Sequence, residues 1–320
     1  MRIVYMGTPD FAVAPLKALV DGGFNVVAVV TTPDKPAGRG LKVRESAVKR
    51  YAVETGLPVF QPVRLKSPEF LEALAALRPE LGIVVAFRML PEAVYAMPRL
   101  GTFNLHASLL PQYRGAAPIN WAVINGEKET GVTTFMLNPR MDEGAVIGAR
   151  RVAIEPEDNA GTLHDKLMAT GAELVVESVE LLADESFRAV PQVLPEDGIL
   201  KPAPKIFRET CHIDFNASGT DIINLIRGLA PYPAAWAELE ETGADGSVAD
   251  RGSLKIFSAK FEKTAADGLP GTLRVDGGRM RVVCRDGHIV LESVQPAGKQ
   301  HMAASAYVNG LKHTGGLRLV

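Results

Sequence analysis

The first half of the chain alternates continuous apolar runs with segments of helical spacing. Arg2–Met6 (RIVYM), Leu81–Ala86 (LGIVVA) and the largely β-branched Asn25–Thr31 (NVVAVVT) have no polar alternation, and Thr102–His106 is a further short run. Such a pattern predicts strands covered on both faces. Between them Phe11–Val20, Glu45–Glu54, Ser67–Leu77 and Ala117–Asn125 read as helices, the second and third opened by polar or capping residues. Continuous strands separated by helices predict an α/β fold, a doubly wound, Rossmann-like, mostly parallel sheet. Val132–Leu137 and Ala145–Ile154 lie close in sequence, which suits an antiparallel edge, and Gly161–Leu182 reads as one long amphipathic helix.

The pattern then breaks. Residues 184–205 hold Pro191, Pro195, Pro202 and Pro204 with little periodicity, and predict a linker between domains. Beyond it come short strands with glycine-containing turns: Ser253–Phe261, Gly271–Val275, Arg279–Arg285 and His288–Ser293. The turn Arg285-Asp286-Gly287-His288 reads as a hairpin, and the helix Ser218–Arg227 precedes the run. A small OB-like β-barrel is expected over residues 206–320, after a first domain over 1–183. The 320-residue length agrees with two domains.

Composition narrows the function. A net charge of −2 excludes coating nucleic acid by bulk charge but leaves room for a local basic patch. No apolar run approaches the roughly 18 residues of a membrane span, and MRIVYMGTPDF reads as a strand entering a turn, not a charged leader. Cys211 and Cys284 make neither a disulfide framework nor a four-thiolate site, so a reducing cytoplasm is expected. The histidines (His106, His164, His212, His288, His301 and His313) form no HxxxH or HExxH pair, and no metal is expected. The first strand runs into Gly7-Thr8-Pro9-Asp10-Phe11, whose single glycine does not supply a pyrophosphate cradle, so no NAD is expected either.

The informative segment follows the Thr102–His106 strand. Asn104 and His106 are two apart, so period-2 geometry puts both side chains on one face at the strand end where open α/β sheets bind ligands. An amide that stabilises an oxyanion beside an imidazole that carries a proton is what acyl-type transfer requires. Asp142, in the turn after the next strand, is placed to swing toward His106 and fix its ring. Taken singly, each of the three reads as an ordinary strand-end or turn residue. Ser108 lacks a Gly-x-Ser-x-Gly elbow and is expected to anchor backbone or line a site, not to act as nucleophile.

The run from Asn104 through Ser108-Leu109-Leu110-Pro111, Tyr113-Arg114-Gly115 and Ala116-Ala117-Pro118-Ile119, with Gly131-Val132-Thr133 and Asp142-Glu143-Gly144, resembles the signature of the folate-dependent formyltransferases. Thr32–Gly40 (TPDKPAGRG), Ile213-Asp214-Phe215, Ile226-Arg227 and Pro231–Trp236 (PYPAAW) are similar to the branch of that family that acts on methionine carried by initiator tRNA. The resemblance covers essentially the whole chain. It implies transfer of the formyl group of 10-formyltetrahydrofolate to the α-amino group of that methionine, for translation initiation. It implies catalysis by Asn104, His106 and Asp142, and a folate site lined by Ser108, Leu109, Leu110, Pro111, Ala86, Phe87, Arg88 and Leu90. An attacking amine with a pKa of about 8 keeps a usable neutral fraction.

Where the family commonly has Ala-Tyr-Gly and one further residue before a proline, this chain reads Ala86-Phe87-Arg88-Met89-Leu90-Pro91. Arg88 there either contacts folate or faces solvent. Residues 33–50 hold six basic side chains (Lys35, Arg39, Lys42, Arg44, Lys49 and Arg50) against Asp34 and Glu45. In isolation this is a solvated loop; with the resemblance it is expected to order on RNA, Arg39 reaching the acceptor-stem end. Lys201, Lys205 and Arg208 are expected backbone contacts to the tRNA, whereas Trp236 and Phe215 are expected in a core. No membrane partner is expected, and a monomer is. Three other readings stay open: formyl transfer to a small amino-sugar nucleotide, 10-formyltetrahydrofolate hydrolysis, and a non-catalytic folate or nucleotide binder.

Overall fold

A computed structural model describes residues 1–37, 42–243, 245–311 and 315–320. By its contacts the chain divides into two units. Met1–Pro118, Glu129–Ala153 and His164–Ala203 form the first; Ile119–Lys128, Ile154–Leu163 and Pro204–Val320 form the second.

In the first unit the apolar runs become β1 (Ile3–Gly7), β2 (Val26–Val30), β5 (Val59–Phe60), β6 (Leu81–Val85), β7 (Thr102–His106), β8 (Glu129–Met136) and β9 (Val146–Ala153), while β3 (Lys35–Ala37) and β4 (Lys42–Arg44) pair as a separate two-stranded ribbon. The large sheet has the order β5-β2-β1-β6-β7-β8-β9. Its first five strands are parallel; β8 runs antiparallel to β7, and β9 to β8. The mostly parallel sheet with an antiparallel edge is therefore present. From β1 the chain moves outward to β2 and later returns to β6 on the other side. The carboxyl ends of β1 and β6 flank the crevice this reversal opens, the usual ligand position in such sheets.

The helices up to residue 183 are α1 (Val13–Asp21), α2 (Ala47–Glu54), α3 (Pro68–Ala76) and α4 (Glu92–Tyr95) in the first unit, α5 (Pro118–Ile124), which belongs to the second apart from Pro118, and α6 (Ala160–Ala183), whose first four residues belong to the second. Ser46 caps α2 by accepting from the Lys49 amide, and Ser67 caps α3, where Pro68 fills the first turn. Val4, Met6, Val30, Phe70, Leu74, Val84 and Val94 pack into one cluster on this framework. Each large side chain so buried stabilises by roughly 1.5–3 kcal/mol, which holds the strand ends in fixed register.

The second unit carries α7 (Gly219–Leu229), β10 (Ala235–Thr242), β11 (Val248–Glu262), β12 (Leu273–Asp276), β13 (Arg279–Cys284), β14 (Gly287–Pro296), β15 (Met302–Ala303), α8 (Ala304–Asn309) and β16 (Leu317–Leu319). The order β12-β13-β14-β11-β10-β16 is nearly closed by a bridge between Thr272 and Arg318, giving an antiparallel barrel. Register shifts around Ser258 let the long β11 bend to serve two neighbours. The expected hairpin is formed, with Cys284 opposite Gly287. Phe215, Ile222, Ile226, Leu254, Ile256, Met280, Val282 and Ile289 fill the interior. Cys211 and Cys284 are unpaired and buried there, and desolvation pushes both thiols up, so they act as small apolar residues.

Candidate active site

β7 delivers the first two groups. Its register sets Asn104 beside Val84 of β6 and Phe135 of β8, and His106 opposite Thr133. Phe103 and Leu105 are buried on the opposite face, so Asn104 and His106 share the other. The His106 Nε2 lies 2.9 Å from the carbonyl oxygen of Tyr113. A carbonyl only accepts, so Nε2 holds the proton, and the neutral ring keeps Nδ1 as an acceptor. Asn104 Oδ1 is buried and has no hydrogen-bond partner among the described residues. A buried amide oxygen without a partner is costly to the fold unless something else satisfies it.

Asp142 is brought to the same segment, but not to the imidazole itself. Its Oδ2 accepts from the Gly115 amide at 2.9 Å, two residues beyond the carbonyl that holds His106. The ring is therefore fixed by backbone, and the carboxylate is fixed by the same loop. Asp142 and Tyr113 have φ values of 54° and 59°, and Ala86, at the end of β6, has φ 46°. Such left-handed conformations cost of order 1–3 kcal/mol each outside glycine and persist where surroundings enforce them. Two glycines allow the close approaches. A Cβ on Gly144 would sit 1.6 Å from the Met136 carbonyl oxygen, and one on Gly115 (φ 128°) 2.4 Å from that of Ala203.

The segment between them is stitched by hydroxyls. Ser108 is fully buried and donates to the Gln112 carbonyl at 2.6 Å, while Thr133 Oγ1 donates to the Ser108 carbonyl at 2.7 Å and accepts from the Leu110 amide at 3.2 Å. Ser108 is thus an anchor of backbone, and Leu109, Leu110 and Pro111 stay partly exposed beyond it. Ala86 leaves β6 just past Val85, which pairs with Leu105, so the Ala86–Leu90 loop starts beside His106. Ala86 is exposed, whereas Leu90 is buried in the α3–α4 cluster and Phe87 packs against it. Arg88 neither faces solvent freely nor lies open: its guanidinium donates to the carbonyls of Pro62 and Val63, and its Nε is buried without a partner.

The sequence alone assigns no role to Thr133, although it stands in the Gly131-Val132-Thr133 motif, nor to Gln112 and Gln192, because each acts through backbone groups remote in the chain. Within the 184–205 stretch expected to be a linker, residues 190–203 are bonded to the segments that carry these groups. Val190 pairs with Val146 through two backbone bonds, Gln112 Nε2 donates to Ile199, the Lys201 carbonyl accepts from Tyr113, and Ala203 bonds both Arg114 and Ala116.

The basic residues divide. Lys35 and Lys42 lie on the β3–β4 ribbon, where Lys35 is in register with the exposed Arg44; Arg39 is outside the described residues. Lys49 is paired with Asp34 and Glu45, so one charge of the basic segment is already spent within the fold. Lys201 is in the first unit and exposed. Lys205 and Arg208 belong to the second, with Lys205 Nζ 5.6 Å from the Phe207 ring and the Arg208 guanidinium 4.7 Å over Trp236. Phe215 is core, whereas Trp236 is only partly buried and offers a face to Arg208. Among the described residues no group of three His, Cys, Asp or Glu could hold a metal ion, and no helix is long and apolar enough to cross a membrane.

Known proteins resemble both halves of this chain. Residues 1–179 match the formyl transferase family and residues 205–312 the formyl transferase C-terminal domain family. The chain is 55% identical to methionyl-tRNA formyltransferase of Parabacteroides distasonis over 98% of its own length and 96% of the relative's. It is 46% identical to the Flavobacterium johnsoniae enzyme of the same name, over 97% and 96%. Among solved structures, Aquifex aeolicus HypX in complex with tetrahydrofolic acid superposes with a TM-score of 0.64 at 18% identity, covering 97% of this chain and 47% of that one. WlaRD, a sugar 3N-formyl transferase crystallised with dTDP and 5-N-formyl-THF, gives 0.64 at 16% identity over 94% and 99%. These two establish shared fold. With both halves matched and near-full-length relatives at this identity, the chain belongs to the formyl transferase family.

Proposed function

We propose that this protein transfers the formyl group of 10-formyltetrahydrofolate to the α-amino group of methionine on initiator tRNA. The observation that carries the reading is the buried, unpartnered Oδ1 of Asn104 on the same strand face as the anchored ring of His106. A buried amide oxygen with no partner fits a site whose donor, such as the N–H of an attacking amine, arrives with the substrate. The co-substrate supplies a formyl group bonded to nitrogen, and Ser108, Leu109, Leu110, Pro111 and the loop from Ala86 would hold it.

The residues divide the work. His106, holding its Nε2 proton on Tyr113, has Nδ1 free to accept the proton that the amine loses as the new C–N bond forms. Asn104 Nδ2 donates to the oxygen on which negative charge develops. The resulting imidazolium returns its proton to the folate nitrogen as the old C–N bond breaks, so proton and formyl group exchange places. Asp142, held by the Gly115 amide, fixes the loop that anchors the ring. No covalent enzyme intermediate is required.

Residues 1–183 are assigned to this chemistry and residues 206–320 to holding tRNA; the proposed tRNA contacts are Arg208 of that domain, Lys201 and Lys205 just before it, and Lys35, Arg39, Lys42 and Arg44 of the first domain. The exposed Phe207 under Lys205 supports the second assignment, because a basic group on an aromatic face suits both phosphate and base. The protein is read as a cytoplasmic monomer. Incubation with 10-formyltetrahydrofolate and each candidate acceptor tests the function. Formylation of charged initiator tRNA is expected; formylation of an amino-sugar nucleotide instead, or formate release with no acceptor, would replace it.

A further inference from the structure

Gln192 stands out from its surroundings. It is half-buried in a stretch whose neighbours Pro191, Val193 and Leu194 are exposed, and it sits two residues past the Val190–Val146 bridge. Its Oε1 accepts from Arg114 Nε at 3.2 Å and Nη2 at 2.7 Å. Its Nε2 donates to the carbonyls of Asp142 at 2.8 Å and Gly144 at 3.0 Å. Both lone pairs and both amide protons are therefore used, the full capacity of a carboxamide. The gap it fills has donors on one side and acceptors on the other, so Glu cannot donate into it and Lys cannot accept.

We infer that Gln192 is a positioning residue for formyl transfer, tying the backbone of the Asp142 loop to Arg114 of the segment that anchors His106. The inference rests on the role given to Asp142 above. The Asp142 loop has reason to need a tie. Asp142 is in the left-handed region, and Gly144 is pressed against the Met136 carbonyl. Arg114 adds a second link, its Nη1 lying 3.0 Å from Glu143 Oε1. Without the carboxamide, two loop carbonyls and one edge of a guanidinium lose their partners together, and the carboxylate is free to drift from Gly115. Misplacement of a catalytic group by about 1 Å costs up to about a hundredfold in rate.

The test uses the full chain and steady-state formyl transfer, with the folded fraction counted by the stoichiometry of tetrahydrofolate binding. Gln192→Met removes all four bonds at nearly constant length. Gln192→Glu keeps an acceptor for Arg114 but sets oxygen against the Asp142 and Gly144 carbonyls. Both are expected to lower kcat about tenfold or more per folded molecule, with KM for folate and tRNA within about twofold. In an Asp142→Asn background, Gln192→Met should then cost no more than about twofold, because the group it positions is already disabled. A full additional loss in that background would mark Gln192 as merely structural and overturn the inference. So would wild-type kcat in both single variants beside a slow Asp142→Asn enzyme. An Asp142→Asn enzyme with undiminished kcat would instead overturn the reading of the site, and the inference with it.

Discussion

Replacing Asn104 by Leu separates stability from activity in opposite directions. The two side chains have nearly the same shape, so packing between Val84 and Phe135 is preserved. The native Oδ1 is buried without a partner, a condition that costs a folded protein about 1–3 kcal/mol. Removing the polar atom should therefore raise stability by about 1 kcal/mol after losses from imperfect packing. For a domain of roughly 150–250 residues, that is an increase of about 2–4 °C in Tm. Removing a donor aimed at a developing oxyanion should meanwhile lower kcat by about a hundred- to a thousandfold. Differential scanning calorimetry and formyl transfer to Met-tRNA measure the two effects on the same preparation. If Asn104→Leu lowers Tm by several degrees, the amide is bonded in the free protein and the reading of its Oδ1 as waiting for substrate is wrong. If Tm rises and kcat survives, the amide waits for nothing in the reaction.

Three further outcomes follow from the same geometry. Gly144→Ala should destabilise the first unit by about 2–3 kcal/mol, seen in denaturant titration, since its Cβ would meet the Met136 carbonyl oxygen at 1.6 Å and the backbone must yield. Thr133→Val leaves the Ser108 carbonyl and the Leu110 amide without their hydroxyl, so about 2 kcal/mol of stability should be lost and KM for folate should rise more than kcat falls. Arg208→Ala and Arg39→Ala should weaken tRNA use and leave folate binding unchanged, each reducing the slope of log affinity against log salt by about 0.7–0.9; an unaltered slope would remove that residue from the RNA contacts.

The parts of the fold legible in the sequence are those set by local pattern. Continuous apolar runs gave β1, β2 and β6, the two-residue period put Asn104 and His106 on one face, and Asp286-Gly287 marked the barrel hairpin. β10 is hard to see in the sequence although it alternates, because its buried positions are Ala235, Ala237 and Leu239, two of them alanines with little β preference. β5 and β16 are too short to carry a period, and their neighbours define them. At the site, chemistry was legible where a side chain acts by itself, but not where it acts through distant backbone. Gln192 reaches Arg114 across 78 positions of sequence and Asp142 across 50, from a proline-rich stretch that reads as linker. Nor could a charge count foresee that Lys49 is held by Asp34 and Glu45. The anchoring of His106 on Tyr113, not on Asp142, is likewise a property of how the loop closes.

The most direct measurement is a single-turnover rapid-quench experiment with formyl-labelled 10-formyltetrahydrofolate and charged initiator tRNA, on wild type and His106→Asn. Transfer of label to the methionine amine by the wild type is expected, with the chemical step slowed by about a hundredfold or more in the variant and folate affinity unchanged. Label released as formate by the wild type, or an equal rate of transfer in the variant, would contradict the roles given to His106 and its neighbours.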